Sequence, residues 1–238
     1  KQEAISLFNF SYLSLQERAR AEQLYWACCA KLFEVLKDQE TINDELKELA
    51  NILTSIYYIN LSVFRSSPDH WAIDQLFPIM PIHRLNEAPT QRAILADLTC
   101  DSDGKISQFI NPQGQQPKNF LELHPLPENQ PYYLGMFLVG AYQEIMGNLH
   151  NLFGDTNVVH IRTHPKGYKI EKLVRGDTIT EVLQQTQYSA EELLENLRRN
   201  TEQALDQNLI SFPESRRLLA NYERGLNSYT YLNQEDKK

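Results

Sequence analysis

The stretch Arg92–Ile110, RAILADLTCDSDGKISQFI, holds two apolar runs on either side of an Asp-Gly pair. The alternation of apolar and polar residues in the first run is typical of a strand with one buried face. Asp-Gly between two such runs is among the strongest short hairpin signals, and it predicts a type I′ turn at Asp103-Gly104. The stretch therefore predicts two antiparallel strands joined by a tight turn.

Further short apolar runs, bounded by turn residues, surround this hairpin and predict a mostly antiparallel sheet. They are LFPIMPIH (76–83), FLELHPL (120–126), YYLGMFLV (132–139) and the hairpin NVVHIRTHPKGYKIEKLVRG (157–176). Pro78 and Pro81 restrict the first run to a sheet edge or an early end. The stretch GAYQEIMGNLHNLFGDT (140–156) predicts a helix inserted into the order of the strands.

Helical patterns precede the sheet. Ser14 and Glu17 form a capping box ahead of an apolar stripe that runs to about Leu36. A second stripe predicts a helix from about Asn43 to Phe64. Cys28 and Cys29 lie in the first stripe, and we expect both to be small core residues.

Helical patterns also follow the sheet. Asp177 is placed to cap a first helix, Ser189 and Glu192 form a second capping box, and Pro213 opens a last helix. The order of elements predicts an α+β fold. We expect three domains: a helical insertion domain (1–66), a β domain (67–175) and a C-terminal helical bundle (176–238).

The composition argues against several functional classes. The 238 residues are 42% apolar and 23% charged, with a net charge of -8, whereas a nucleic-acid-binding protein needs a clustered basic face. No apolar run approaches the length of a membrane span, and we expect no signal peptide. The three cysteines form no disulfide or zinc framework, so a reducing, cytoplasmic setting fits best. The first residue, Lys1, already lies in a helical pattern, and we expect the chain to be part of a longer protein.

The segment TCDSDGKI (99–106) concentrates reactive groups. A calcium loop would need a ligand at Lys105 and glycine at Ile106, so that motif does not match. Zinc is also excluded, because no second Cys or His stands at ligand spacing from Cys100. No local motif supplies the base that a nucleophilic cysteine needs.

Two interpretations of the segment remain open on residues alone. It is either a polar turn with an inert cysteine, or a proton donor beside a cation site. Asp101 and Asp103 repel each other unless a cation lies between them, and a planar guanidinium suits such a pair. A thiol is mostly protonated at neutral pH, and nearby carboxylates favour that form. Cys100 is therefore better suited to donate a proton than to attack as a nucleophile.

A second candidate lies at the start of the inserted helix. The small residues of Gly140-Ala141-Tyr142 would let a ligand approach the backbone, and helix N-termini attract anions such as phosphate. A packing glycine and a core tyrosine are the structural alternative. His150 is either an ordinary helix-face residue or part of a pocket lining. His160 and His164 lie on one alternating face, and we assign no ligand site to them.

Five segments together resemble the biosynthetic arginine decarboxylases of bacteria and plants. They are LFNFSYLSLQERARAEQLYW, INLSVFRSSPDHWAIDQLFPIMPI, LADLTCDSDGKI, LGMFLVGAYQEIMGNLHNLFGDTNVV and GLNSYTYL. The resemblance covers essentially the whole chain, in the right order, and it concerns the C-terminal part of that enzyme. It implies a pyridoxal-phosphate enzyme of the alanine racemase-like fold. The cofactor-binding (β/α)₈ barrel and its lysine are expected to lie outside this chain.

The resemblance also implies roles for individual residues. Cys100 matches the cysteine that reaches a neighbouring subunit's cofactor and protonates the substrate's α-carbon. Asp101 matches the acidic residue that meets the distal cationic end of the substrate, and Asp103 belongs to the arginine-type version of the motif. Tyr142 matches a tyrosine near the cofactor phosphate. His150 and Asn151 fall where related ornithine decarboxylases have pocket-lining residues of other types.

The implied function is decarboxylation of L-arginine to agmatine and carbon dioxide for polyamine synthesis. The chain would contribute Cys100 and Asp101 across the interface of a homodimer or larger oligomer, and alone it should be inactive. The family is described as using magnesium, for which the sequence shows no carboxylate cluster. A regulatory or scaffolding module that has lost the site is one alternative. A decarboxylase for another basic amino acid is the other.

Overall fold

The computed structural model describes residues 1–36, 49, 52–114, 116–128 and 130–233. Over these residues the chain has the predicted α+β fold, with open antiparallel sheets between helical segments. The helices are α1 (Gln2–Asn9), α2 (Leu15–Leu36), α3 (Val63–Ser66), α4 (Pro68–Ile73), α5 (Tyr142–Met146), α6 (Ile179–Gln185), α7 (Ala190–Asp206) and α8 (Phe212–Leu226). The strands are β1 (Ser55–Tyr58), β2 (Ile79–Pro81), β3 (Gln91–Ala96), β4 (Lys105–Ile106), β5 (Leu121–Leu123), β6 (Leu134–Met136), β7 (Val158–His164) and β8 (Gly167–Val174).

The chain forms two compact units. The first consists of Lys1–Ile56, Met80–Ile94 and Ser107–Leu134, and the second of Tyr57–Ile79, Leu95–Ile106 and Gly135–Lys238. The three domains expected from the sequence, 1–66, 67–175 and 176–238, stay a prediction. In the part of the chain that the structure describes, no helix is both long and apolar enough to cross a lipid bilayer.

The predicted start of α2 is confirmed. Ser14 Oγ accepts a hydrogen bond from the Glu17 amide at 3.3 Å, and Glu17 Oε2 accepts one from the Ser14 amide at 2.8 Å. The Ser14 amide, and after it the Ser14 hydroxyl, donates to the Glu17 carboxylate, and these two bonds hold the pKa of Glu17 below its ordinary value. The prediction that Cys28 and Cys29 are core residues is wrong, since Cys28 is exposed and Cys29 only half-buried. Among the described residues α2 packs on α1 and buries none of its own side chains.

Strand β3 is the centre of the main sheet, whose order is β1-β3-β4 with β5 also paired to β3. The pairing is antiparallel throughout its described registers: Ala93 faces Leu121, and Leu95 faces Ile106. Ala93, Leu95 and Ile106 are each at most 2% exposed. The alternation predicted from the sequence is therefore confirmed, and it puts one face of β3 in the core.

The helix predicted from Asn43 to Phe64 is wrong over its last part, and most of its earlier part lies outside the described residues. Residues Ser55–Tyr58 form β1, in which Tyr57 is buried between exposed neighbours. Aromatic and β-branched side chains favour such a half-buried strand over a helix. The separate helix α3 then begins at Val63, and its N-cap is Ser62, whose Oγ accepts a hydrogen bond from the Arg65 amide at 3.3 Å.

The helix predicted over 140–156 is also shorter than expected, because α5 ends at Met146. Gly147 has extended backbone, and a Cβ atom there would lie 2.2 Å from the Arg65 carbonyl oxygen. This close approach requires glycine and ends the helix. The chain continues into a 3-10 turn, His150–Leu152.

The predicted hairpin of β7 and β8 is confirmed, with Val158 opposite Val174 and a bulge next to His160. The capping of α6 differs from the prediction. The cap is Thr178, whose hydroxyl accepts a hydrogen bond from the Glu181 amide, while the Asp177 carboxylate instead accepts one from the Asp155 amide.

The two last helices begin as the sequence predicts. Ser189 Oγ accepts a hydrogen bond from the Glu192 amide at the start of α7. Pro213 lies in the first turn of α8. A capping box between Ser211 and Glu214 also fixes the start of α8, and the sequence analysis missed it.

Candidate functional site

The loop between β3 and β4, from Asp97 to Gly104, is organised around a buried carboxylate. Asp97 is 2% exposed. Its Oδ1 accepts hydrogen bonds from the Thr99 amide at 2.8 Å and the Thr99 hydroxyl at 2.7 Å, and its Oδ2 accepts one from the Val63 amide at 2.8 Å. These three donors compensate for the burial of the carboxylate. Asp97 therefore anchors the loop to α3.

Asp97 was not among the residues predicted from the sequence, although the pattern held a signal for it. Ala93 and Leu95 are core residues on the inward face of β3, and Asp97 continues their alternation one residue beyond the end of the strand. A carboxylate at the next inward position is rare unless it is hydrogen-bonded. An acidic residue that continues a buried face marks a structural anchor.

The turn in this loop spans Asp101 to Gly104 and does not match the predicted type I′ turn. The Gly104 amide donates to the Asp101 carbonyl oxygen at 3.0 Å, and the Asp103 amide donates to Asp101 Oδ1 at 2.9 Å. A type I′ turn at Asp103-Gly104 needs positive φ at both residues, and neither has it. An aspartate at the first position and glycine at the fourth instead suit the observed turn.

Gly104 is needed for space. A Cβ atom at this position would lie 2.2 Å from Asp97 Oδ1 and 2.5 Å from Thr99 Oγ1. The main chain of Gly104 also accepts a hydrogen bond from the Asp97 amide at 2.8 Å. Any side chain here would push against the anchor of the loop.

We expect Gly104→Ala to lower the free energy of unfolding by about 2 kcal/mol, because the added methyl group overpacks the buried Asp97 site. Gly225→Ala is the matched control. Gly225 lies in α8, and a Cβ atom there would meet nothing within 4 Å. Alanine favours a helix, so this control should be neutral or stabilising. Equilibrium urea denaturation measures the free energy of unfolding of the wild type and of both variants. Equal unfolding midpoints for Gly104→Ala and the wild type would contradict the packing argument.

The anchored loop presents the three predicted residues together at the surface. The Cys100 thiol is exposed, and the side chain of Asp101 keeps 40% of its surface exposed. Asp103 is exposed as well. The backbone conformation that Asp97 and Gly104 impose therefore brings a free thiol within one short turn of two carboxylates.

A second loop, residues 147–152, meets the first one. The Cys100 amide donates a hydrogen bond to Asn151 Oδ1 at 3.0 Å. His150 Nε2 lies 3.8 Å from Asp101 Oδ2, which is too far for a hydrogen bond. His150 and Asn151 thus lie next to Cys100 and Asp101. The resemblance had placed them only at positions that line a pocket in related ornithine decarboxylases.

Helix α3 supports both loops. Phe64 is 2% exposed, and its ring stacks on His150 with 4.3 Å between centroids. Its carbonyl oxygen accepts a hydrogen bond from the Asn148 amide at 3.1 Å. Arg65 donates to the Gly147 carbonyl oxygen at 3.0 Å and pairs with Asp155. The sequence analysis did not single out Phe64 or Arg65, because their role depends on contacts about 80 residues apart in the chain.

The electrostatic character of the site is acidic. Within residues 52–114, 116–128 and 130–233, Asp103 makes no ion pair, and the basic group nearest to Asp101 is the His150 ring. No lysine or arginine in that part of the chain neutralises either carboxylate. Two exposed carboxylates of this kind suit a cationic ligand better than an anionic one.

Tyr142 is not brought into this cluster. It opens α5 with a 72% exposed side chain and makes no hydrogen bond or ring contact with the loop residues as far as the structure describes them. Gly140 has φ of 80°, which favours glycine, and a Cβ atom there would meet nothing within 4 Å. The backbone at Gly140 is open to solvent, and the predicted approach of a ligand at Gly140-Ala141-Tyr142 stays a prediction.

No metal centre accompanies the site in the described ranges. No group of three or more His, Cys, Asp or Glu side chains among them is arranged to hold a metal ion. We therefore assign none of the described residues to the magnesium that the resemblance implies. A separate polar cavity of about 360 Å³ lies between Asn60, Asn157, Arg175 and Tyr229, and it contains none of the predicted site residues.

Two family models match the ends of the chain. The model described as arginine decarboxylase helical bundle domain matches residues 1–50, and the one described as arginine decarboxylase C-terminal helical extension matches residues 179–232. The chain corresponds to the C-terminal portion of an arginine decarboxylase. The resemblance found in the sequence is thus confirmed.

Similar arginine decarboxylases cover nearly the whole chain. The biosynthetic arginine decarboxylase of Thermosynechococcus vestitus is 66% identical over 98% of the chain, and biosynthetic arginine decarboxylase 1 of Synechocystis is 64% identical over 98%. The crystal structure of the biosynthetic arginine decarboxylase of Campylobacter jejuni superposes with a TM-score of 0.78 at 33% identity, again over 98% of the chain. The chain spans only 36%, 34% and 35% of these three proteins. The fold of this arginine decarboxylase portion therefore has a solved counterpart, and the described residues contain no (β/α)₈ barrel.

Proposed function

We propose that the complete protein, of which this chain is a C-terminal portion, decarboxylates L-arginine to agmatine and carbon dioxide in polyamine biosynthesis. One observation carries the proposal: a loop anchored on Asp97 presents an exposed thiol beside two carboxylates, in a chain that matches named arginine decarboxylases along 98% of its length. The cytoplasm is the proposed location.

Asp101 and Asp103 are the proposed contacts of the substrate's guanidinium group. Both carboxylates are exposed and lie on one turn, and neither is neutralised by a lysine or arginine of the described chain. A guanidinium donates through a planar fork and pairs with carboxylates bidentately, which an alkylammonium cannot do. The site would therefore prefer arginine over lysine and ornithine.

Pyridoxal phosphate is the proposed cofactor, held mainly by the part of the protein outside this chain. Tyr142 fits one part of that task, because its exposed hydroxyl can donate a hydrogen bond to a phosphate oxygen. When bound, this cofactor supplies the electron sink that accepts the electron pair released as carbon dioxide leaves. The amine that holds it and the other phosphate donors are assigned to the barrel domain.

Cys100 is the proposed proton donor. Its S–H proton passes to the α-carbon from which carbon dioxide has left, and the thiolate then regains a proton from solvent. A positioned acid of this kind also decides which atom is protonated, and therefore which product forms. Because Cys100 is exposed on this chain while the cofactor belongs elsewhere, we place it at the interface of a homodimer, facing the partner's site.

The substrate preference is tested with the complete protein and its Asp101→Asn variant. We expect agmatine from arginine as the favoured reaction, and a roughly 30-fold lower kcat/KM for arginine in the variant, because a charged hydrogen bond is lost. The asparagine side chain of this variant would keep the oxygen that accepts the Asp103 amide, so the turn should survive.

The matched control is Asp206→Asn, at an exposed position on α7, and it should leave kcat/KM unchanged. Liquid chromatography of agmatine, cadaverine and putrescine measures the products formed from arginine, lysine and ornithine. Absence of any amine product would favour the scaffolding alternative, and a preference for lysine or ornithine would favour the other alternative.

A further inference from the structure

The turn His150–Leu152 holds an unusual backbone next to Cys100. Asn151 has φ of 53° and ψ of 26°, and Leu152 follows with φ of 61°, so two consecutive residues adopt the left-handed conformation. This conformation costs about 1–2 kcal/mol for a residue with a side chain, and asparagine tolerates it better than most. Such strain persists where surrounding contacts fix it.

The strained backbone directs the side chains of His150 and Asn151 toward the loop between β3 and β4. Asn151 Oδ1 accepts the Cys100 amide proton at 3.0 Å, and His150 faces Asp101 at 3.8 Å. The His150 ring is held by the buried Phe64 ring, and its amide donates to Asn148 Oδ1 at 3.0 Å. Consecutive residues of one loop therefore face consecutive residues of the other.

We propose that Asn151 is a positioning residue for Cys100: its amide oxygen fixes the Cys100 backbone and so aims the thiol at the substrate's α-carbon. The inference rests on the proposed function of Cys100. Thr99 is tied to Asp97, and Asp103 to Asp101. Among the described residues, the Cys100 amide is the point in residues 99–103 that hydrogen-bonds to another loop. Loss of that bond leaves the thiol in place with a less defined direction.

Three variants of the complete enzyme separate the positioning role of Asn151 from the proton-donor role of Cys100. Asn151→Gly accepts the left-handed backbone but has no side-chain oxygen, and Asn151→Asp keeps both an oxygen acceptor and tolerance of that backbone. The measured quantity is the fraction of turnovers that end in aldehyde and pyridoxamine phosphate, the products of protonation at the wrong atom. We expect Asn151→Gly to raise this fraction about fivefold, the value of one ordinary hydrogen bond, and Asn151→Asp to restore most of the wild-type fraction.

Cys100→Ala, the third variant, separates the two claims. If Cys100→Ala raises the wrong-product fraction and Asn151→Gly does not, the positioning role is overturned while the proposed function stands. If Cys100→Ala leaves the fraction unchanged, the proposed proton-donor role of Cys100 fails, and the positioning role of Asn151 fails with it.

A cofactor-free measurement completes the test and needs no variant to fold. Amide hydrogen exchange in the wild-type enzyme should be slower at Cys100 than at Ser102, because the Cys100 amide is bonded to Asn151 and the Ser102 amide has no acceptor among the described residues. Equal exchange at the two amides would overturn the inference.

A second measurement without cofactor uses the Asn151→Gly variant. The rate at which iodoacetamide alkylates Cys100 in the apoenzyme should change at least twofold in this variant relative to the wild type, with Cys28 as the internal reference. Unchanged alkylation of Cys100 would overturn it as well.

Discussion

Cys100→Ala in the complete enzyme is expected to lower agmatine formation about 10³-fold, within the usual range for loss of a positioned general acid. Alanine removes the only proton-bearing group of the side chain and leaves the backbone bonds of the loop in place, including the Cys100 amide bond to Asn151. Decarboxylation would still begin, so part of the turnover should end in aldehyde and pyridoxamine phosphate. Chromatography of both the amine and the aldehyde products measures the fall in agmatine and the rise in aldehyde in the same experiment.

The control for this prediction is Cys28→Ala. Cys28 is also an exposed thiol, on α2, and it has no assigned role. Its removal should change agmatine formation less than twofold. A Cys100→Ala enzyme with wild-type agmatine yield would remove Cys100 from the mechanism, since no other cysteine lies on the loop between β3 and β4.

The parts of this fold that were predictable are those with a local cause. Ser14 with Glu17 caps α2 as its sequence indicates, since both partners lie within one turn. The β7–β8 hairpin also follows from short-range alternation. Neighbouring residues are sufficient to fix such features, whatever the rest of the chain does.

Two of the wrong predictions depend on contacts that the local sequence pattern does not show. The type I′ turn at Asp103-Gly104 does not form because Asp97, buried against α3, sets the course of the loop. The long helix over 140–156 stops at Gly147 because the Arg65 main chain approaches there. Sequence patterns carry little information about such approaches, since the two residues that meet are far apart in the chain.

The candidate site divides in the same way. Cys100, Asp101 and Asp103 were predicted as site residues because reactive groups cluster in eight residues and because that segment resembles the family's motif. The structure keeps the three together at the surface. The supporting Asp97, Phe64 and Asn151 were not found in these roles, since each acts through a neighbour on another element. Residues that position a site are in general harder to predict than residues that form it.

Subunit complementation is expected to restore activity from two inactive enzymes. One variant carries Cys100→Ala, and the other lacks the cofactor-binding lysine of the barrel domain, outside this chain. A site that takes its lysine from one subunit and its cysteine from the other is intact once in each mixed dimer. At equal mixing, half of the dimers are mixed, so about a quarter of all sites should work.

The most direct test of the account is therefore the agmatine-forming activity of that mixture, after the subunits have exchanged and native mass spectrometry has shown mixed dimers. We predict recovery to about a quarter of the wild-type activity, a gain of a few hundredfold over either variant alone. Activity that stays at the level of the separate variants, with mixed dimers present, would contradict the central claim that Cys100 of one chain serves the cofactor of its partner.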